Sequence, residues 1–286
     1  MAHRRCPLLV LAGLSMLAGL ARADEGMWPP YALDKLSIES LRARGLQLTP
    51  QQIYNPAGGG LTDAVVQVGA TASFVSSNGL IITNHHVAYG AIQEQSTTAH
   101  NYLRDGFYAP TRADELEAQG YTVNVTTGME DVTRRVLGAV NDKMTGLKRF
   151  NAIDAITKQI VAEAEKGGLV RCRVAPMFEG KQYVKYTTFE IRDVRIVYIP
   201  PEAIGNYGGE TDNWMWPRHT GDFAFLRAYV GPDGAPAEFS RDNVPYRPRV
   251  YLPISAAGIA DGDLTMTIGF PGRTERYISS FDLANQ

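Results

Sequence analysis

The sequence predicts a mostly β fold with inserted helices, and three features support this. Three short apolar stretches follow one another between residues 64 and 83, separated by residues typical of tight turns. Side chains alternate between two faces over residues 222–230, as in a strand. Between these regions, residues 151–168 carry apolar side chains at helical spacing. Consecutive strands interrupted by helices indicate an antiparallel sheet.

The first 23 residues predict an export signal. A basic start precedes the apolar run "LLVLAGLSMLAGL", which is too short to span a bilayer, and "ARA" before Asp24 fits a cleavage site. We therefore expect an exported mature protein that begins at Asp24 and keeps no stable membrane anchor. The alternative is an uncleaved anchor.

Composition and charge narrow the possible functions. The chain has 286 residues, of which 44% are apolar and 20% charged, as in globular proteins of one or two domains. Removing residues 1–23 leaves 25 of the 28 basic residues against all 30 acidic ones, which argues against a nucleic-acid partner. Cys6 leaves with the signal, so Cys172 is either buried and inert or lacks its partner.

Turn and cap residues set the order of the elements. A helix is predicted over residues 33–45, ending at Gly45, and Thr49, Pro50 and Gln52 predict a capping box. Ser76 to Gly79 form a hairpin turn. Strands are expected at residues 64–68, 71–75, 80–83, 170–176, 182–191, 194–200 and 222–230, with a helical insertion at about residues 127–168.

Two adjacent histidines, His85 and His86, end the third strand. Neighbouring residues at a strand end point in opposite directions, so the pair cannot easily share one metal, and we predict no metal or other cofactor. A general base or a packed histidine remains, and position alone favours packing.

The flanking residues favour catalysis. The segment "GATASFVSSNGLIITNHHV" resembles the strand, turn and strand that precede the base of chymotrypsin-like serine proteases, and "TNxHV" occurs in periplasmic high-temperature-requirement proteases. The base of those families directly precedes Val or Cys, which corresponds to His86. His85 is then expected to pack or to make a loop hydrogen bond.

A serine-protease histidine needs a carboxylate to hold its tautomer. Asp222 is the candidate, because it heads an alternating strand that follows the histidines in the chain. Asp212 competes with it but lies in the loop-like "GGETDNW".

Three segments together resemble serine peptidase family 46, the bacterial periplasmic dipeptidyl peptidases of types 7 and 11. They are "SSNGLIITNHHVAYGAIQ", "IGNYGGETDNWMWPRHTGDFAFLRAYV" and "GFPGRTERY". The resemblance covers residues 24–286. It implies a chymotrypsin-like double β-barrel with a large helical domain inserted, located in the periplasm of a Gram-negative bacterium or at the cell surface. The implied activity removes dipeptides from peptides with a free N-terminus, and a homodimer is possible.

The same resemblance assigns site residues. It implies that His86 is the base and Asp222 the acid, and that Asn213 and Trp214 hold the substrate's α-ammonium. An ammonium ion in a closed pocket needs such acceptors. Some relatives have Cys where this chain has Val87, so we expect no disulfide here.

The nucleophile is missing from this pattern. A chymotrypsin-type serine sits in a Gly-x-Ser-Gly turn, and none of the serines after Asp222 does: Ser240, Ser255, Ser279 and Ser280. We therefore expect residues 24–258 to form the first barrel and residues 259–286 to start the second, in a fragment that is inactive alone.

Two other functions remain open at this point. One is a non-catalytic exported protein that binds peptide N-termini on a single protease-like barrel, and the other is a periplasmic endoprotease. The loop around Asn213 and Trp214 could also serve only to pack the barrel. The preference for the residue before the scissile bond cannot be read from this sequence.

Overall fold

One antiparallel sheet of eleven strands dominates the computed structural model, which describes residues 28–209, 219–272 and 279–284. The strands are β1 (Val65–Val68), β2 (Ala70–Phe74), β3 (Leu80–Thr83), β4 (Phe107–Tyr108), β5 (Leu116–Glu117), β6 (Val123–Asp131), β7 (Arg171–Met177), β8 (Gln182–Ile191), β9 (Asp193–Ile199), β10 (Ala224–Val230) and β11 (Val244–Pro245). Their order is β4-β9-β10-β3-β2-β1-β6-β8-β7, with β11 beside β10 and β5 beside β9. The predicted mostly β architecture with helices is confirmed.

Short helices connect the strands. They are α1 (Ile38–Ala43), α2 (Pro50–Ile53), α3 (His85–Gln95), α4 (Tyr102–Asp105), α5 (Thr133–Leu137), α6 (Gly146–Ala164), α7 (Glu202–Gly205) and α8 (Ser280–Ala284). Three 3-10 turns lie at Pro30–Lys35, Leu61–Ala64 and Arg112–Asp114. Among the residues described, no helix is both long and apolar enough to cross a membrane.

The sheet must curl, because β8 and β9 are joined by Arg192 alone. In the sheet order these two strands are six positions apart. At about 4.8 Å per strand, a flat sheet would separate them by roughly 29 Å, which one residue cannot span. The curled sheet encloses a core whose fully buried members include Val66, Phe74, Ile81, Ile196 and Leu226.

The hairpin between β2 and β3 follows the predicted turn. The hydroxyl oxygen of Ser76 accepts the N–H groups of Asn78 and Leu80, each at 3.2 Å. Gly79 has φ +68°, and a Cβ there would lie 2.8 Å from the carbonyl oxygen of Ala228 on β10. Glycine is therefore required both for the turn and for the close approach of β10.

The N-terminal segment differs from the predicted single helix. A 3-10 turn ends at Lys35, and α1 begins at Ile38 because the Ser37 side chain caps it by accepting the N–H of Ser40. The capping box at α2 is present as predicted: Thr49 and Gln52 exchange hydrogen bonds of 2.8 and 3.2 Å.

A second, smaller core lies under the inserted helices. Val132, Val136, Ile160 and Tyr183 pack together, with Ile153 of α6 against them. The helical insertion starts later than predicted, because β6 continues from residue 127 to Asp131, where it pairs with β8.

The segment expected to start a second barrel forms no strand over residues 259–272. It returns instead to the sheet, where the Phe270 N–H donates to the Thr71 hydroxyl at 2.8 Å. Cys172 is a free, partly buried thiol on β7, and burial raises its pKa. The predicted signal peptide, residues 1–23, lies outside the described residues.

Candidate active site

The two adjacent histidines lie in the first turn of a helix, not at a strand end as predicted. β3 ends at Thr83, and α3 begins at His85 after Asn84. Successive helical side chains differ by about 100° in direction, so the two rings diverge. His85 is buried, at 1% exposure, whereas the side chain of His86 is 71% exposed. Only His86 therefore presents its ring to solvent.

Asp222 reaches this turn through the register of β10 on β3. Ala224 pairs with Thr83, so the residues just before β10 lie beside the residues just after β3. Asp222 is in that position, two residues before the strand, although the sequence placed it at the strand's first residue. The predicted alternation holds, with Ala224, Leu226 and Ala228 fully buried.

His86 and Asp222 make two contacts with each other. Nδ1 of His86 lies 2.7 Å from Oδ2 of Asp222, and the His86 backbone N–H donates to Oδ1 at 3.1 Å. An ionised carboxylate only accepts, so Nδ1 carries the proton and Nε2 keeps its lone pair. The pair thus has an oriented imidazole with a free basic nitrogen on an exposed ring.

The carboxylate of Asp222 also takes the place of a helix cap. Asn84 occupies the N-cap position of α3, but its side chain makes no cap hydrogen bond. The free N–H of the second helical residue, His86, goes to Asp222 instead. A carboxylate at a helix N-terminus also satisfies a backbone N–H that has no partner within the helix.

Asn84 contributes to the same cluster, and sequence reasoning missed it. Its amide nitrogen donates to Oδ2 of Asp222 at 3.1 Å and to the backbone carbonyl of Asp222 at 3.2 Å. The signal available in the sequence was an Asn directly before the histidine pair, at a position normally read only as a helix cap.

His85 packs behind the pair. A Cβ on Gly205 would lie 2.2 Å from Cγ of its ring, and Tyr89 meets the ring edge-on with centroids 6.1 Å apart. Burial lowers the pKa of His85, outweighing the opposite effect of Asp222, and its Nε2 has no hydrogen-bond partner among the described residues. This buried, neutral ring fits the packing role expected for it.

The predicted ammonium-binding residues Asn213 and Trp214, and the rival acid Asp212, lie outside the described residues. The flanks of that segment are described, and they contact each other. Gly221 N–H donates to the Ile204 carbonyl at 2.9 Å, and the Thr220 hydroxyl donates to the Tyr207 carbonyl at 2.8 Å. The chain therefore leaves and re-enters this region next to Asp222.

Ser240 lies away from this site. The backbone carbonyl of Ser240 accepts a hydrogen bond from Arg195 at 2.7 Å. Arg195 also donates to Asp193, and Asp193 lies opposite Tyr229 near the end of β10. Seven residues of extended chain separate Asp222 from Tyr229, or about 23 Å. Within the described parts of the chain, no group of three or more His, Cys, Asp and Glu residues is placed to hold a metal.

Comparison with known proteins identifies the family. The model of the family described as Peptidase S46 matches residues 23–286. The chain belongs to this family. Dipeptidyl-peptidase 7 of Capnocytophaga gingivalis is 42% identical over 274 residues, which cover 95% of this chain and 38% of that protein. The Asp/Glu-specific dipeptidyl-peptidase of Shewanella putrefaciens is 40% identical over 272 residues, covering 94% of this chain and 37% of that one.

Solved structures agree with the S46 assignment. The crystal structure of Porphyromonas endodontalis DPP11 in complex with substrate superposes with a TM-score of 0.77 at 40% identity, covering 84% of this chain and 36% of that one. A complex of the same protein with the dipeptide Arg-Glu gives a TM-score of 0.76. The S46 chain thus spans little more than a third of the length of these relatives.

Proposed function

We propose that this S46 chain supplies the general base and the acid of a serine-type dipeptidyl aminopeptidase of the bacterial periplasm. The observation that carries the proposal is the His86–Asp222 contact. Nδ1 of His86 lies 2.7 Å from the Asp222 carboxylate, and the His86 side chain is largely exposed. Relatives named dipeptidyl-peptidase support the reaction class.

The proposed reaction proceeds in two stages, acylation and deacylation, each with one proton transfer to Nε2 of His86 and one from it. Nε2 of His86 takes the proton of a serine hydroxyl as the serine oxygen attacks the carbonyl carbon of the second residue of a peptide. Asp222 stabilises the imidazolium, which then protonates the departing amine. Water, deprotonated by the same nitrogen, then attacks the acyl carbon, and the imidazolium returns its proton to the serine oxygen as the dipeptide leaves.

The serine of this mechanism is expected from the part of the family's proteins that this chain does not span. The serines after Asp222 lack the Gly-x-Ser-Gly turn, and Ser240 lies near the far end of β10. A second barrel of chymotrypsin type would carry the nucleophile, and the first barrel would be the curled sheet described above.

Selection for the free N-terminus is assigned to Asn213 and Trp214. A charged α-ammonium needs acceptors in a closed pocket, and the described flanks of this loop adjoin Asp222. An N-terminus held there would place the second peptide bond near His86. The relatives carry both general and Asp/Glu-specific names, so we assign dipeptide release without a side-chain preference.

The test uses a protein of the relatives' full length that contains this chain. Dipeptide release is measured from a free peptide and from the same peptide after N-terminal acetylation, for wild type, His86→Ala and His100→Ala. His86→Ala should lower kcat by about 10⁴- to 10⁶-fold, while His100→Ala, at an exposed histidine, should leave it unchanged. Only the free peptide should be cleaved. Comparable cleavage of the acetylated peptide would exclude an aminopeptidase, and an active His86→Ala variant would exclude His86 as the base.

A further inference from the structure

Asn84 stands at the start of α3 with the backbone of an N-cap residue, φ −78° and ψ 152°. An N-cap asparagine normally turns its side-chain oxygen to a free N–H of its own helix. Here the side chain makes no such bond, and its amide nitrogen donates to Asp222, 138 positions later in the chain. The side chain is therefore used for something other than ending the helix.

We propose that Asn84 is a positioning residue for the His86–Asp222 pair. Oδ2 of Asp222 accepts hydrogen bonds from Nδ1 of His86 and from the side-chain amide of Asn84. Oδ1 accepts a hydrogen bond from the His86 backbone N–H. Three donors in different directions fix the rotation of the carboxylate. The fourth contact, from Asn84 to the backbone carbonyl of Asp222, ties the carboxylate to its own main chain. Since this role presupposes His86 as the base, it rests on the proposed function.

The arrangement also sets the charge that His86 meets. A hydrogen bond to Oδ2 from Asn84 spreads part of the carboxylate's negative charge over a second donor. Without it, the full charge of Asp222 faces Nδ1, so the imidazolium form of His86 is favoured and the ring takes up its proton at higher pH. Loss of Asn84 should thus weaken the base near neutral pH and loosen its orientation.

Two substitutions separate this role from helix capping. Serine and aspartate are as good as asparagine at the N-cap, so Asn84→Ser and Asn84→Asp preserve the capping capacity of the residue. Serine is too short to replace the amide donor, and aspartate replaces that donor with an acceptor of the same shape. Asn101→Ser is the matched control, because Asn101 caps α4 through its side-chain oxygen, which accepts the N–H of Arg104 at 3.0 Å.

The experiment follows the His86 ring by NMR as a function of pH in this chain, together with its melting temperature. Asn84→Ser should melt near wild type, whereas Asn84→Asp, which places a second carboxylate beside Asp222, should melt lower. The His86 titration midpoint should move to higher pH in both variants. In a full-length protein, kcat/KM of Asn84→Ser should fall about ten- to a hundredfold, as for loss of one hydrogen bond to a charged group. The acid limb of the pH profile of kcat/KM should also move to higher pH in Asn84→Ser. Asn101→Ser should change none of these.

A wild-type His86 titration in Asn84→Ser would overturn the proposal. So would an Asn84→Ser variant with lowered melting temperature and unchanged titration, since that result assigns the Asn84–Asp222 hydrogen bonds to fold stability alone. If Asn84→Ser does not fold, the Asn84→Asp titration decides in the same way. These readouts do not require peptidase activity, so a failure of the proposed function appears separately, as an active His86→Ala variant.

Discussion

The ring of His85 fills the space that a side chain on Gly205 would need. A Cβ built on Gly205 would lie 2.2, 2.3 and 2.6 Å from three atoms of that ring, closer than real Cβ contacts come. Because α7 ends at Gly205 and α3 begins at His85, this contact joins the helix that carries His86 to the segment that leads towards Asp222.

Gly205→Ala should therefore destabilise the protein. Overpacking of this kind costs about 1–3 kcal/mol, which lowers the melting temperature by roughly 2–12 °C in a chain of this size. Gly146→Ala is the control, since a Cβ there meets no atom of the described residues within 4 Å. The double variant His85→Ala with Gly205→Ala should recover part of the loss. Equal melting temperatures for the two single variants would contradict a packed His85–Gly205 contact.

Sequence patterns predicted the strands around the site because each is coded locally. Period-two alternation and the Ser76–Gly79 turn define β2, β3 and β10 within a few residues. The His86–Asp222 pair was predicted from the resemblance to a known family. The strand register accounts for the contact, because pairing of Ala224 with Thr83 brings together two residues 136 positions apart.

Other features depend on long-range contacts that leave no local pattern. Nothing between His85 and Gln95 marks a strong amphipathic helix, so the sequence pattern predicts a strand end where α3 begins. The amide of Asn84 bonds a residue that the sequence does not place beside it. Similarly, the hydrogen bond from the Phe270 N–H to the Thr71 hydroxyl joins residues 199 positions apart and leaves no local pattern.

His85 should make stability fall in mild acid. Burial lowers the pKa of His85 below the ordinary 6.5. The charges of Asp222 and Glu202 raise this pKa by a smaller amount, and His86 lowers it further. Below about pH 6.5 the unfolded state therefore binds a proton that the folded state does not, and the free energy of unfolding decreases by at most about 1.4 kcal/mol per pH unit. Above that pH both states are neutral and this contribution is constant.

The measurement is urea unfolding between pH 5 and 8. His85→Leu should flatten the slope below pH 6.5, whereas His100→Leu, at an exposed histidine, should not. Parallel profiles for wild type and His85→Leu would show that folding does not lower the pKa of His85.

Asp222→Asn should abolish most turnover while the chain still folds. An amide at this position presents a donor to Nδ1 of His86 and favours the wrong tautomer, which lowers kcat on the order of 10⁴-fold in a full-length protein. The new NH₂ group would also face the amide of Asn84, so one of these donors loses its partner. Asp142→Asn, at an exposed residue, is the control. A larger loss for Asp212→Asn would assign the acid to that residue instead.

The free energy of unfolding should depend strongly on Glu115, which binds two side chains of β10. Its carboxylate accepts Nε of Arg227 at 2.8 Å and the hydroxyl of Tyr229 at 2.7 Å, and its side chain is 2% exposed. Burial and the bond to Glu115 both raise the pKa of Tyr229. The Arg195 guanidinium lies 3.8 Å from the Tyr229 ring centroid, so a second buried cation packs on the tyrosine that Glu115 binds.

Glu115→Ala leaves the guanidinium of Arg227 and the hydroxyl of Tyr229 without this acceptor in a buried site, and it should cost about 3–5 kcal/mol. Urea unfolding measures the loss, and Asp154→Ala is the matched control. Asp154 pairs with Lys158 on the surface of α6, where both side chains are well exposed and such a pair contributes about 0.5 kcal/mol or less. Since Arg227 and Tyr229 belong to the strand that follows Asp222, amide exchange along β10 should also quicken in Glu115→Ala. A cost no greater than that of Asp154→Ala would mean that the buried cluster does not hold β10 in place.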